Sequence, residues 1–150
     1  MTALRLRGFD IHKEFLGRAA QQEVLDAVRG VVRQAPFFRP EVPRGGRMSV
    51  RMTAAGRYGW FSDRRGYRYV TEHPDGQPWP EIPAPILAIW DKLTGLERRP
   101  ECCLINYYGD VVVMGGEARL TYHGVDRIKP GTSTLLPKGG RINLTLRVVE

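Results

Sequence analysis

The sequence is poor in residues that build metal and disulfide frameworks. Its only two cysteines, Cys102 and Cys103, are adjacent, a spacing poorly placed for an ordinary disulfide and matching no zinc motif. They read as buried strand thiols. The three histidines, His12, His73 and His123, are scattered along the chain, so a zinc site of Cys and His ligands is not expected and any metal would need carboxylates as well. No run approaches the roughly 18 consecutive apolar residues of a membrane span, and the opening MTALRLRGFD has no apolar export segment. The expected compartment is the cytoplasm, with no membrane partner. Walker, Rossmann, Gly-x-Ser-x-Gly and helix-turn-helix signatures are missing, which removes nucleotide hydrolysis and serine-hydrolase chemistry. There is no internal repeat.

What is present fits one globular domain. The chain has 150 residues, 42% of them apolar, enough for a single core. Lys and Arg number 23 against 16 Asp and Glu, a formal charge of +7 that suits a polyanionic partner. From Ala19 to Val32 apolar residues recur every three or four positions and predict an amphipathic helix. A second helix is expected from about Pro85 to Leu93, with Pro near its start and Gly95 as its stop. The alternation in Met48 to Thr53 predicts a strand, and His73 to Pro80 a surface loop. Further short strands are expected at Leu104–Tyr108, Asp110–Met114, Leu120–His123, Ser133–Leu136 and Arg141–Val149. Helices first and strands afterwards argue for an α+β fold.

Three stretches could carry chemistry. In Arg141 to Val148, period two puts Ile142, Leu144, Leu146 and Val148 on one face and Arg141, Asn143, Thr145 and Arg147 on the other. The two arginines are roughly 20 Å apart at Cα, so they would converge only around a bound anion, and a dicarboxylate suits that geometry; a solvated strand face is the plainer reading. The segment Gly56 to Tyr69 holds Tyr58, Trp60, Phe61, Tyr67 and Tyr69 among Arg57, Arg64, Arg65 and Arg68, with Arg51 nearby. It could stack bases and neutralise phosphates, or its aromatics could fill the core. His73-Pro74-Asp75 with His123 has the form of a two-histidine, one-carboxylate iron triad, although a Pro-Asp-Gly turn explains His73 and Asp75 well.

Taken in order, Met48-Ser49-Val50-Arg51-Met52-Thr53, Gly59-Trp60, Arg65 to Tyr69, Pro78-Trp79-Pro80, Cys103 to Tyr108, Gly109 to Gly116, Tyr122-His123-Gly124 and Arg141 to Arg147 resemble the bacterial AlkB family. These are Fe(II)/2-oxoglutarate-dependent dioxygenases that repair alkylated DNA. The resemblance implies a double-stranded β-helix, or jelly-roll, core with N-terminal helices and a nucleotide-recognition lid. Residues 1–80 would form the extension and lid of a single domain, and residues 81–150 a helix and part of the core. It makes His123 an iron ligand and places Asn106, Tyr107, Tyr108, Arg141, Asn143 and Arg147 around 2-oxoglutarate. Met52, Trp60, Tyr67, Arg68 and Tyr69 would meet the flipped base and its phosphates. The implied function is oxidative dealkylation of N-alkylated DNA, single- or double-stranded, by a monomer using Fe(II), 2-oxoglutarate and O₂. The alternatives are an inactive nucleic-acid binder and an RNA demethylase on the same scaffold.

The chain departs from the family in one serious respect, besides the minor change of Met114 for a Trp. The family's H-x-D pair follows its Asn-x-Tyr strand, yet here Asn106-Tyr107-Tyr108-Gly109 runs straight into Asp110-Val111, and several core strands are missing with the pair. The favoured reading is a stretch omitted between about Tyr108 and Asp110. A true internal deletion is the second, and substitution by His73 and Asp75 the third.

Overall fold

A computed structural model describes residues 3–6, 9–106, 113–114, 134–136 and 140–149. The order is β1 (Leu4–Leu6), β2 (Phe9–Ile11), α1 (Arg18–Gln34), β3 (Met52–Gly56), β4 (Gly59–Asp63), β5 (Gly66–Val70), α2 (Ala84–Thr94), β6 (Cys102–Asn106), β7 (Val113–Met114) and β8 (Asn143–Arg147). Mixed helix and strand, as expected, surround a three-stranded antiparallel sheet β3-β6-β8.

Helix α1 forms because Leu25, Val28 and Val31 repeat at helical spacing and are all buried. Each such burial is worth about 1.5–3 kcal/mol. The helix stops at Ala35, which precedes Pro36 and is non-helical because the proline ring crowds the α conformation of the residue before it. Helix α2 starts after Pro83 and ends at Gly95 in the left-handed conformation, φ 60°, where glycine carries no Cβ penalty. Its Ile86 is fully buried against Val28, Val31, Ala55, Cys103 and Ile105. The two helices thereby cover one face of the central sheet, and Ile142, Leu144 and Leu146 pack into the same cluster. The buried hydroxyl of Thr53 donates to the Ala35 carbonyl at 2.7 Å and ties β3 to the end of α1.

The register is continuous across the sheet. Met52 pairs with Asn106 and Asn106 with Asn143; Gly56 pairs with Cys102 and Cys102 with Arg147. Since cross-strand partners share a face, Met52, Leu104, Cys102, Asn106, Asn143, Thr145 and Arg147 all lie opposite the helices. Hairpin β4-β5 packs on that side, with Trp60 and Tyr69 against Met52, Cys102 and Leu104.

Three expectations need correction. The strand expected over Met48 to Thr53 begins only at Met52 and runs to Gly56. Met52 to Ala55 are buried on both faces, so they show no alternation, and Ala-Ala-Gly carries little strand propensity. Thr134 to Leu136 bend rather than extend. The expected surface loop at 73–80 is not wholly at the surface: His73 and Trp79 are buried, 7% and 6% exposed. The strand expected over Leu120–His123 lies outside the described residues.

Candidate active site

The site face is built from three short strands and the hairpin above them. At one end of it Asn106 and Asn143 stand side by side as register partners, with Met52 beyond Asn106. The Asn106 side-chain oxygen is buried and finds no hydrogen-bond partner. A buried amide left unmatched is costly, and a flip about its last torsion would turn its NH₂ to the same place. The position is therefore suited to a polar ligand atom, and an anion would be met by amide donors. At the other end of the face, Arg147 donates from Nη1 to the Tyr69 hydroxyl at 2.7 Å, joining β8 to β5. Arg141 is half-buried before β8 and is engaged by neighbours.

Above this face, Trp60 stacks on Tyr67, with ring centroids 5.3 Å apart and planes at 27°. Tyr67 is 65% exposed, so the pair makes an aromatic shelf on the sheet-facing side of the hairpin that is open to solvent at Tyr67. The hairpin holds its shape through Asp63, which accepts from both Arg68 guanidinium nitrogens at 2.8 Å. The Arg68 hydrogen bond, then the Arg65 backbone N–H, hold the Asp63 carboxyl well below the usual carboxylate range. Arg68 thus sits on the face opposite Trp60 and Tyr69, with its guanidinium over the Phe61 ring.

Under the hairpin Trp79 donates from Nε1 to the Val70 carbonyl at 2.9 Å. His73 meets its ring edge-on, with centroids 5.2 Å apart. Both nitrogens of His73 are engaged: Nε2 lies 2.8 Å from the Pro36 carbonyl, to which it must donate, and Nδ1 lies 2.9 Å from the Asp75 carboxylate and 3.2 Å from the Asp75 backbone nitrogen. That leaves His73 fastening the 73–80 turn to the end of α1, not holding a metal. Turn composition alone did not separate His73 and Trp79 from an ordinary Pro-Gly loop; Pro78-Trp79-Pro80 stood out only as one of the motifs of the family resemblance.

The structure therefore brings Met52, Trp60, Tyr69, Asn106, Asn143 and Arg147 onto one side of the sheet and puts Arg68 on the far face of the hairpin. Tyr107, Tyr108 and His123 lie outside the described residues. Among the described residues no group of three His, Cys, Asp or Glu comes together to hold a metal. The orphaned Asn106 amide, Asn143, Arg147 of β8 and Arg141 just before it have the chemistry to fit a dicarboxylate cosubstrate. No described helix is long and apolar enough to cross a membrane.

Comparison with known proteins gives this arrangement its class. The model of the 2OG-Fe(II) oxygenase superfamily matches residues 8–110 and 109–147. An alpha-ketoglutarate-dependent dioxygenase AlkB homolog of Caulobacter vibrioides (strain NA1000 / CB15N) is 38% identical over 191 residues, covering 93% of this chain and 87% of the relative. The AlkB dioxygenase of Escherichia coli (strain K12) is 29% identical over 195 residues, 93% of this chain and 89% of its own. The solved structure of OsALKBH1 aligns with TM-score 0.71 at 22% identity over 97% of this chain and 99% of that one, a likeness of fold that carries the jelly-roll class. The chain belongs to the 2OG-Fe(II) oxygenase superfamily. Within it, the chain is a member of the AlkB family, enzymes whose cofactors are Fe(II) and 2-oxoglutarate.

The comparisons also mark the break. About 140 residues of this chain (93% of 150) face 191 of the Caulobacter relative, so about 50 positions of the relative have no counterpart here. The family-model match divides at Gly109–Asp110, where the sequence lacks its H-x-D pair.

Proposed function

We propose that the protein removes N-alkyl groups from bases of DNA by oxidation, using the sheet face below the β4-β5 hairpin as its active site. The observation that carries this reading is a single sheet face with Asn106 beside Asn143 at one end and, packed on Met52, Leu104 and Cys102 along it, the hairpin bearing the Trp60–Tyr67 stack. One surface then offers an amide pair suited to an anion and, further along it, an aromatic shelf the size of a base.

When bound, Fe(II) with 2-oxoglutarate and O₂ supplies the oxidation: the cosubstrate loses CO₂ and becomes succinate with one oxygen atom, and the other oxygen enters a C–H bond of the N-alkyl group. For a methyl lesion the resulting N-hydroxymethyl group leaves as formaldehyde and restores the base. The chain's own residues bind and orient. Asn106 and Asn143 donate to one carboxylate of the cosubstrate, and Arg141 and Arg147 pair with its charges. Trp60 stacks on the extruded base, Tyr67 and Tyr69 close over its sugar and phosphate, and Met52 fills the floor beside it. Arg68 acts on substrate only through the hairpin it stiffens. His123 supplies an iron ligand. In this reading residues 1–80 form the extension and recognition lid, and residues 81–150 the helix and part of the core, of one cytoplasmic domain; β3 is the strand the first part lends to the central sheet.

Two substitutions separate the roles. Arg141→Ala is expected to raise the 2-oxoglutarate KM at least tenfold, the scale of one charge-assisted hydrogen bond. Trp60→Ala is expected to raise the KM for a methylated oligonucleotide by a similar factor, since stacking is worth about 1–3 kcal/mol per base, with the cosubstrate KM nearly unchanged. Steady-state kinetics in both substrates check this. Unchanged constants in either variant would remove that residue from its role.

A further inference from the structure

The hairpin that carries Trp60 and Tyr67 on its inner face has a second, outer face that the proposed mechanism does not use. There a cleft of about 630 Å³ opens between β4 and the loop running from Phe37 to Arg51, with Arg39, Arg47, Arg51, Phe61, Glu41 and Asp63 in its lining. All three arginines are exposed. Unlike Arg68, Arg65, Arg29, Arg98 and Arg99, which sit in ion pairs, Arg39, Arg47 and Arg51 make no side-chain pair with any described residue. They are not on a loose loop. Met48 N–H donates to Pro40 at 2.9 Å and Val42 N–H to Gly46 at 3.0 Å, while Glu41 N–H donates to Ser62 at 3.2 Å and so ties the loop to β4. The buried Ser62 hydroxyl adds a 2.7 Å bond to the Glu41 carbonyl.

Electrostatics decides what such a cleft takes. Asp63 faces it, but its charge is spent on the bidentate pair with Arg68, so three unmatched guanidiniums stand against one carboxylate, Glu41. Guanidiniums held without partners in a groove match phosphate oxygens, which they can bind two at a time. Several of them in one groove suit a repeating polyanion better than a single small anion. A two-stranded hairpin is one layer thick, so a nucleic-acid strand whose base lies on Trp60 can pass around its edge to the outer side.

We infer that this cleft is a second nucleic-acid contact: Arg39, Arg47 and Arg51 bind the phosphodiester backbone of the single strand whose base is presented on the opposite face of the hairpin. The inference rests on the nucleic-acid reading proposed above and adds to it where the flanking strand runs.

The test is equilibrium binding of a fluorescent, lesion-free single-stranded oligonucleotide by anisotropy over a range of salt, without iron or cosubstrate. The wild type is compared with the triple variant Arg39→Gln, Arg47→Gln, Arg51→Gln and with a charge-matched control, Arg29→Gln, Arg33→Gln, Arg99→Gln, whose arginines lie on and beside the helices. Each phosphate contact contributes about 0.7 to the slope of log K against log salt for a single strand. The cleft variant is expected to lose about 2 from that slope while the control stays near wild type. Thermal melting confirms that both variants, altered only at exposed side chains, are folded. A cleft variant with the slope of the wild type, or a control that loses as much, overturns the cleft. A wild type that fails to bind the oligonucleotide overturns the nucleic-acid reading itself, and the two failures are thus distinct.

Discussion

Asn106 shows how far single residues could be read in advance. Alternation along Arg141 to Val148 separated Asn143, Thr145 and Arg147 from Ile142, Leu144 and Leu146, and the structure packs the second set, half-buried, against the helix-covered core. Parity is a local property of an extended chain, so it survives without tertiary information. That Asn106 would be the partner of Asn143 is a matter of strand pairing, which no local pattern encodes. The close packing of Gly59 on Trp79 is equally invisible. A Cβ placed on Gly59 would come within 2.2 Å of the Trp79 ring, and Trp79 cannot retreat, since its indole N–H is bonded to Val70 and its ring is wedged by His73 and Phe38. Gly59→Ala is therefore expected to destabilise the protein by about 1–3 kcal/mol, the usual cost of overpacking. Chemical denaturation checks it, with the Trp79→Leu background expected to recover part of the loss; an unchanged midpoint would show that the ring is not confined.

At the scale of elements, the two helices were legible because their apolar spacing is long and their ends carry proline and glycine. Strand β3 was misplaced because Met52 to Ala55 are buried on both sides and lack the alternation that marks a half-buried strand. Strand β6 was expected about two residues late for the same reason, since Cys102 to Ile105 are all buried. Its adjacent cysteines point to opposite faces, Cys103 into the helix-covered core and Cys102 under Trp60 and Tyr69. Burial pushes the Cys102 thiol up to about 11, against the opposing pull of Arg147, and raises Cys103 further. Neither thiol is expected to react with a water-soluble alkylating reagent at pH 8 in the native protein, and both should react on unfolding. Because the folded thiols ionise later than unfolded ones, whose ordinary value is 9.0, their contribution is intact below that value and lost as the pH rises from it towards the folded one. The Cys102→Ala, Cys103→Ala variant should show a flatter fall of denaturation midpoint between pH 8.5 and 10.5 than the wild type, and a parallel fall would contradict the burial argument.

Across the whole molecule, the aromatic shelf, the amide pair and the arginine cleft share one device, a thin hairpin lying over a sheet whose other face is filled by α1 and α2. Family membership was legible because motif order along the chain survives even where the motifs' packing cannot be foreseen. The discontinuity at Gly109–Asp110 is a whole-chain property too. An enzyme of this family with an intact iron site should carry the positions that the Caulobacter relative has there. The polypeptide isolated from its source is accordingly expected to weigh several kilodaltons more than the 17.0 kDa of these 150 residues; an intact mass of 17.0 kDa would leave His123 without its H-x-D partners. The central claim is oxidative dealkylation of DNA, and the most direct measurement is product release with Fe(II), 2-oxoglutarate and O₂ on three N-methylated substrates: a single-stranded DNA oligonucleotide, its RNA counterpart and a methylated peptide. Succinate and formaldehyde released in equal amounts, fastest with the DNA and abolished by chelation, are the predicted result. Equal inactivity on all three would contradict the account and leave the hairpin and its arginines as a binding surface without turnover.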